Sequence, residues 1–162
     1  MKNLEKNTQA IEHAWKYFEL HAGQRITLFN YFLFIMAGLG AAIGAVLQNI
    51  EKFLYIGVFV SIFTIIIAII FWKLDQRTAF LVKQAENILK NLEKNSDIAV
   101  LLFSSEEANL TKYNATKYIF NKIITYGTIF RSIFFITGVI GIIGTTIFVL
   151  RILGYFDFMI PK

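Results

Sequence analysis

His13 and His21, with Glu12 beside the first and Gln24 and Arg25 just beyond the second, are the residues of this chain best suited to do chemistry. Imidazole titrates near neutral pH and serves as general acid, general base or metal ligand. The two histidines stand eight apart, so no His-x-x-x-His or His-Glu-x-x-His pair presents two ring nitrogens on adjacent helical turns. Glu12, His13 and His21 make a weak metal set in which a further ligand in register is missing; no metal and no cofactor is expected. There is no Walker loop, no Gly-rich turn after a strand, and no Arg a few residues before a His in the manner of many small RNases. The chain also has no Cys, which removes disulfides and thiolate sites. This inventory predicts a protein that is not an enzyme.

What remains for these side chains is binding. They lie on Leu4–Ile26, which reads as an amphipathic helix: Ile11, Trp15, Phe18, Ala22, Ile26 and Phe29 recur at three- and four-residue steps as one apolar stripe. His13, Tyr17, His21 and Arg25 follow a second line at steps of four. Two readings stand side by side. In one, the helix lies at a membrane interface, with Trp15 and Tyr17 as aromatic anchors and Arg25 reaching a phosphate. In the other, Trp15 and Phe18 pack on a neighbouring subunit while His13, His21 and Arg25 face a shared polar site. Arg25 is expected to pair with Asp75, since the two stand just outside consecutive apolar runs at one membrane depth. Gly23 is where the helix is expected to bend.

Those runs are the elements that must position everything else. Leu28–Leu47 and Phe53–Trp72 hold no charged residue, and a hinge at Gln48–Lys52 joins them. About twenty helical residues span the ~30 Å hydrocarbon core of a bilayer. A third run, Ile129–Leu150, carries one charge, Arg131, in its first turn. The sequence is 56% hydrophobic and 17% charged, outside the usual soluble range. Its net charge of +5 is unevenly spread: four Lys/Arg before residue 28, one in the hinge and eight between 73 and 128. The positive-inside rule then places both basic segments in the cytoplasm and the hinge and C-terminus outside. The charge is read as a topology signal with anionic headgroups as a secondary contact, which argues against nucleic acid as a partner. The expected architecture is all-α and integral to the bacterial inner membrane. It comprises an N-terminal amphipathic cytoplasmic helix (1–27), a transmembrane hairpin (28–72), a cytoplasmic helical region (73–128), a third transmembrane helix (129–150) and a short external tail (151–162). The first span would serve as an uncleaved anchor.

Nothing stops the helix after Trp72, since Lys73–Lys94 contains neither Gly nor Pro. Leu74, Leu81 and Ile88 repeat every seven, with Thr78, Ala85 and Leu92 at the alternate positions, and predict a seam that needs a partner helix. Ile98–Phe103 is ambiguous between strand and helix. Ser104-Ser-Glu-Glu107 matches a capping box opening a helix from about Ser105 to Lys122, with a bend at Gly127 before the third span.

Small residues mark expected helix contacts. Gly40 and Gly44 form a GxxxG in the first run, and Gly138, Gly141 and Gly144 recur in the third. In lipid such residues let backbones approach closely. The spans hold no Asp, Glu, Lys or His near their middle, as an ion transporter usually needs. Asn30, Ser61, Thr64, Thr137, Thr145 and Thr146 can satisfy themselves locally.

Trp15-x-x-Phe18-x-x-His21-Ala22-x-Gln24-Arg25, then Phe29-Asn30-Tyr31-Phe32 and a hairpin, with Lys73-Leu74-Asp75-x-Arg77, resembles the RipA-like oligomeric inner-membrane proteins of intracellular bacteria. The chain is also similar to two-span membrane effectors of anti-phage systems. Either resemblance implies oligomerisation and a role in stress adaptation or defence. The expected protein is a non-enzymatic homo-oligomer, with itself and the lipid bilayer as partners, that gates membrane permeability as a pore. The alternative is a scaffold or accessory subunit that anchors a cytoplasmic protein partner without forming a pore. Trp15, Phe18, His21, Gln24, Arg25, Asp75, Arg77, Gly40, Gly44 and Gly141 are the candidate interaction residues.

Overall fold

A computed structural model describes residues 2–95, 101–118 and 121–155, all of whose regular elements are helices. The order is α1 (Lys2–Gln48), α2 (Ile50–Asn95), α3 (Leu102–Ala115) and α4 (Tyr126–Ile152). Three of these are long and apolar enough to cross a membrane. The chain divides into two compact units: Met1–Ile26 with Gln76–Thr128, and Thr27–Asp75 with Ile129–Lys162.

α1 remains helical across Gly23, where a bend was expected. One glycine costs only ~1 kcal/mol in a helix interior, too little to interrupt 47 residues. The hinge is shorter than the charge pattern suggested. Asn49 alone separates α1 from α2: its amide bonds to Val46, and its carbonyl accepts from Lys52 and Phe53. The kink falls at Phe53 (φ −113°, ψ 19°). From there α2 continues past Trp72 to Asn95, as the absence of any breaker predicts.

In the first unit, Ala14 on α1 and Thr78, Ala85 and Leu89 on α2 are buried. The heptad reading is therefore displaced by one step. Leu74 and Ile88 are exposed and Leu81 is half-buried, while burial falls on Thr78 and Ala85 of the alternate positions and on Leu89, one residue past Ile88. Trp15 is likewise 47% exposed, while Ile11, Tyr17, Phe18, His21 and Arg25 are half-buried. The inward face of α1 is thus turned from the stripe toward Ala14. Phe103 packs edge-on against both Trp15 and Phe18, at 6.1 and 5.5 Å between ring centres.

α3 starts at Leu102 rather than Ser105 and ends at Ala115 rather than Lys122. Its free amides are not met by a capping box. Glu93, at the end of α2, accepts from Phe103 N (3.1 Å) and Ser104 N (2.9 Å). The Ser104 hydroxyl donates to Lys90 O instead, and Lys90 Nζ reaches Glu107 at 3.3 Å. Beyond α3, the Asn114 side-chain amide donates to Ile123 O (3.0 Å) and accepts from Ile123 N (2.9 Å), closing the loop between them. Residues 96–100, including the first half of the ambiguous apolar run, lie outside the described residues.

In the second unit, Phe32, Phe71, Phe130 and Phe134 form the buried core. Phe29 stacks on Phe130 at 3.9 Å, and Phe32 meets Phe134 perpendicularly at 4.7 Å. α4 begins at Tyr126, so Gly127 sits inside its first turn rather than at a bend. At its other end, Tyr155 N bonds to Leu150 O and Gly154 N to Arg151 O. Gly154 has φ 77°, the left-handed closure in which glycine carries no side-chain penalty.

Candidate functional site

The longest continuous feature of the second unit is the antiparallel face between α2 and α4. Gly57 lies against Phe148, Ser61 against Gly144, Ile65 against Gly141 and Ala68 against Gly138. Trp72 meets Phe135 edge-on at 6.5 Å, and Asp75 meets Arg131. On each helix the steps are three or four residues, so one face of α2 from Gly57 to Asp75 meets one face of α4 from Arg131 to Phe148. Glycine is required where the backbones come closest. A methyl group on Gly141 would stand 2.6 Å from Ile65 Cγ1 and 3.0 Å from the Ser61 carbonyl oxygen. One on Gly144 would stand 2.8 Å from Ser61 Oγ.

The hydroxyls inside this unit mostly bond back to their own helix. Thr64 donates to Val60 O, Thr145 to Gly141 O and Thr146 to Ile142 O. Ser61 is the exception: it is fully buried and its hydroxyl has no hydrogen-bond partner. Its contact with Gly144 replaces hydrogen bonding by close packing.

At the end of the face, Arg131 Nε donates to Asp75 Oδ2 at 3.4 Å. Asp75 is buried; Arg131 is half exposed. The sequence reading paired Asp75 with Arg25 and named no side-chain partner for Arg131, so this contact is an addition to it. The available signal was opposite charge at the matching ends of two apolar runs.

The candidate residues separate into different places. Gly141 is buried against α2 of its own chain, so its small size serves packing within the chain. Gly40 and Gly44, and Gly38 near them, have open space where a side chain would stand. In the first unit, His21 Nδ1 pairs with Gln24 Oε1 at 2.9 Å, and the His21 ring packs edge-on against Tyr17 at 4.3 Å. Arg25 covers Gly127, where an added methyl would lie 2.8 Å from Nη2. Trp15 and Phe18 pack on each other and on Phe103. Arg77 is exposed. Among the described residues no three His, Cys, Asp or Glu side chains converge as a metal site.

Electrostatics single out Glu93. Burial opposes its ionisation, but the amide bonds from Phe103 and Ser104 outweigh that and hold its carboxyl below the usual carboxylate range.

No protein-family model and no solved structure matches the chain. Among curated proteins it is similar to CD-NTase-associated protein 19 of Escherichia coli, with 41% identity over 140 residues. The match covers 84% of this chain and 88% of that protein.

Proposed function

Because the chain belongs to the family of CD-NTase-associated protein 19, we propose that it is a membrane-linked defence effector that works beside a CD-NTase. Of the two resemblances noted in the sequence, the relative supports the one to anti-phage effectors; the RipA-like one gains no support from it. The carrying observation is the near full-length match of a chain with three membrane-capable helices to a protein named for that association.

The protein acts without catalysis of its own, as a homo-oligomer in the inner membrane that gates permeability. α2 and α4 are closed on each other by their glycine face, whereas the Gly40–Gly44 line of α1 is open. A second α1 can approach there as closely as small residues allow. Walls built from Leu28–Leu47 and Phe53–Trp72 carry no charge, so a pore between subunits would be controlled by wetting and dewetting of an apolar constriction. The basic segments 1–27 and 73–128 face the cytoplasm, where a CD-NTase partner would act.

Purified protein in dye-loaded liposomes, alone and with its CD-NTase partner system, tests this reading. Dye release, together with an oligomeric mass for the intact detergent complex, is the expected result. Vesicles that stay tight under both conditions would turn the assignment to a scaffold that anchors its partner.

A further inference from the structure

The lysines and tyrosines between Lys112 and Tyr126 take no part in the helix faces described above. They are Lys112, Lys117 and Lys122 together with Tyr113, Tyr118 and Tyr126, and all six are exposed, Tyr118 to 87%. From residue 108 to residue 156 the sequence contains no Asp or Glu, so no neighbouring acid along the chain offsets the lysines. Lys117 Nζ lies 5.3 Å from the centre of the Tyr113 ring, within cation–π range. The Asn114 clasp on Ile123 joins the last turn of α3 to the residues that lead into α4. Ile123 and Ile124, just before α4, are exposed as well.

We propose that residues 112–118 and 121–126 form a docking surface for anionic phospholipid headgroups. The proposal rests on the reading that α4 crosses a bilayer. A loop covalently joined to the first turn of a spanning helix is confined to the membrane surface. There, ammonium groups meet lipid phosphate, tyrosine rings sit at headgroup level, and exposed isoleucines reach the acyl boundary. Positive charge without acids, exposed aromatics and apolar side chains beside a span together match a charged bilayer surface. A nucleic acid would use the lysines and tyrosines but would leave Ile123 and Ile124 without a role. Each lysine near an anionic surface shifts the docked population by about fivefold.

The natural absence of cysteine gives a clean test, because Tyr118→Cys supplies a single site for an environment-sensitive fluorophore. The full-length labelled protein is reconstituted into vesicles of phosphatidylcholine alone or with added phosphatidylglycerol. Quenching by neutral acrylamide reports exposure of the label. Quenching should fall when phosphatidylglycerol is present and recover in high salt. A variant with Lys112, Lys117 and Lys122 all changed to Gln should lose the lipid dependence, and the same three changed to Arg should keep it. Equal quenching in both lipids overturns the proposal. So does a change that appears only when a single-stranded oligonucleotide is added, which would make the loop a nucleic-acid surface. Release of the protein from both vesicles by alkaline carbonate would overturn the span itself, and the docking surface with it.

Discussion

Arg131 and Asp75 stand 56 residues apart in sequence and 3.4 Å apart in space, yet they meet water unequally: the Asp75 side chain is 4% exposed and that of Arg131 is 47% exposed. Asp75 stands one helical turn beyond Phe71, and Arg131 follows Phe130, so both belong to the helices that carry the phenylalanine core. Because Asp75 is desolvated, Arg131 does more there than an exposed ion-pair partner would.

Arg131→Ala should therefore cost about 2 kcal/mol, between the ~0–1 of an exposed pair and the ~3–5 of a buried one. Asp75→Asn in the same chain should recover part of that loss, since it removes the charge that Arg131 offsets. Unfolding of the purified protein in mixed detergent, followed by helical circular dichroism, gives the cycle. Losses that simply add would show that the two do not cooperate.

Gly141 and Gly44 should respond in opposite ways to the same change. Gly141→Ala forces a methyl against the Ser61 and Ile65 backbone and should destabilise by about 1–3 kcal/mol through overpacking. Gly44→Ala meets nothing within 4 Å and should leave unfolding unchanged or slightly improve it through helix propensity. Gly44→Leu should instead reduce the mass of the detergent complex. An unchanged mass would remove the Gly40–Gly44 line from the assembly.

Glu93 makes the docking of α3 sensitive to acid. Its carboxyl ionises more readily in the folded protein than its reference value of 4.5, so the stabilisation is complete above that value. It is lost as pH falls through the lower folded value. In a Trp72→Phe background, Trp15 emission reports Phe103, which packs on it. The emission should shift as the solution is acidified below about pH 4.5. Glu93→Gln should weaken α3 docking already at pH 7, by about 1 kcal/mol in line with the loss of a helix cap. A signal flat to pH 3 in the parent would mean that the cap contributes nothing.

Asn114→Ala should open the loop between α3 and α4 while leaving the long apolar helices intact, because it removes both bonds to Ile123. Two exposed hydrogen bonds are worth about 1–2 kcal/mol locally. Hydrogen exchange at the Ile123 amide should accelerate roughly tenfold for each 1.4 kcal/mol lost. Exchange at parental rate would assign closure of the loop to other contacts.

The sequence by itself determined what depends on neighbours along the chain. Runs of apolar residues without charge make long helices, and the absence of Gly and Pro after Trp72 carries α2 on to Asn95. Thr64, Thr145 and Thr146 reach the carbonyl four residues back because helix geometry puts it there. The near full-length relative supplies a family that composition could not name. Tertiary structure decided which like-looking residues do which work. Gly44 and Gly141 are both small residues in apolar runs, but only the position of α2 shows that Gly141 is enclosed and Gly44 open. The helix opening near Ser104 carries a plausible local cap, yet Glu93 reaches it from another helix. Leu74 and Ile88 outrank Thr78 and Ala85 in hydrophobicity, yet they are exposed and the two smaller side chains are buried. The reason is one of range: three- and four-residue periodicity fixes which residues share a face, whereas the choice of face depends on the shape of a helix many residues away.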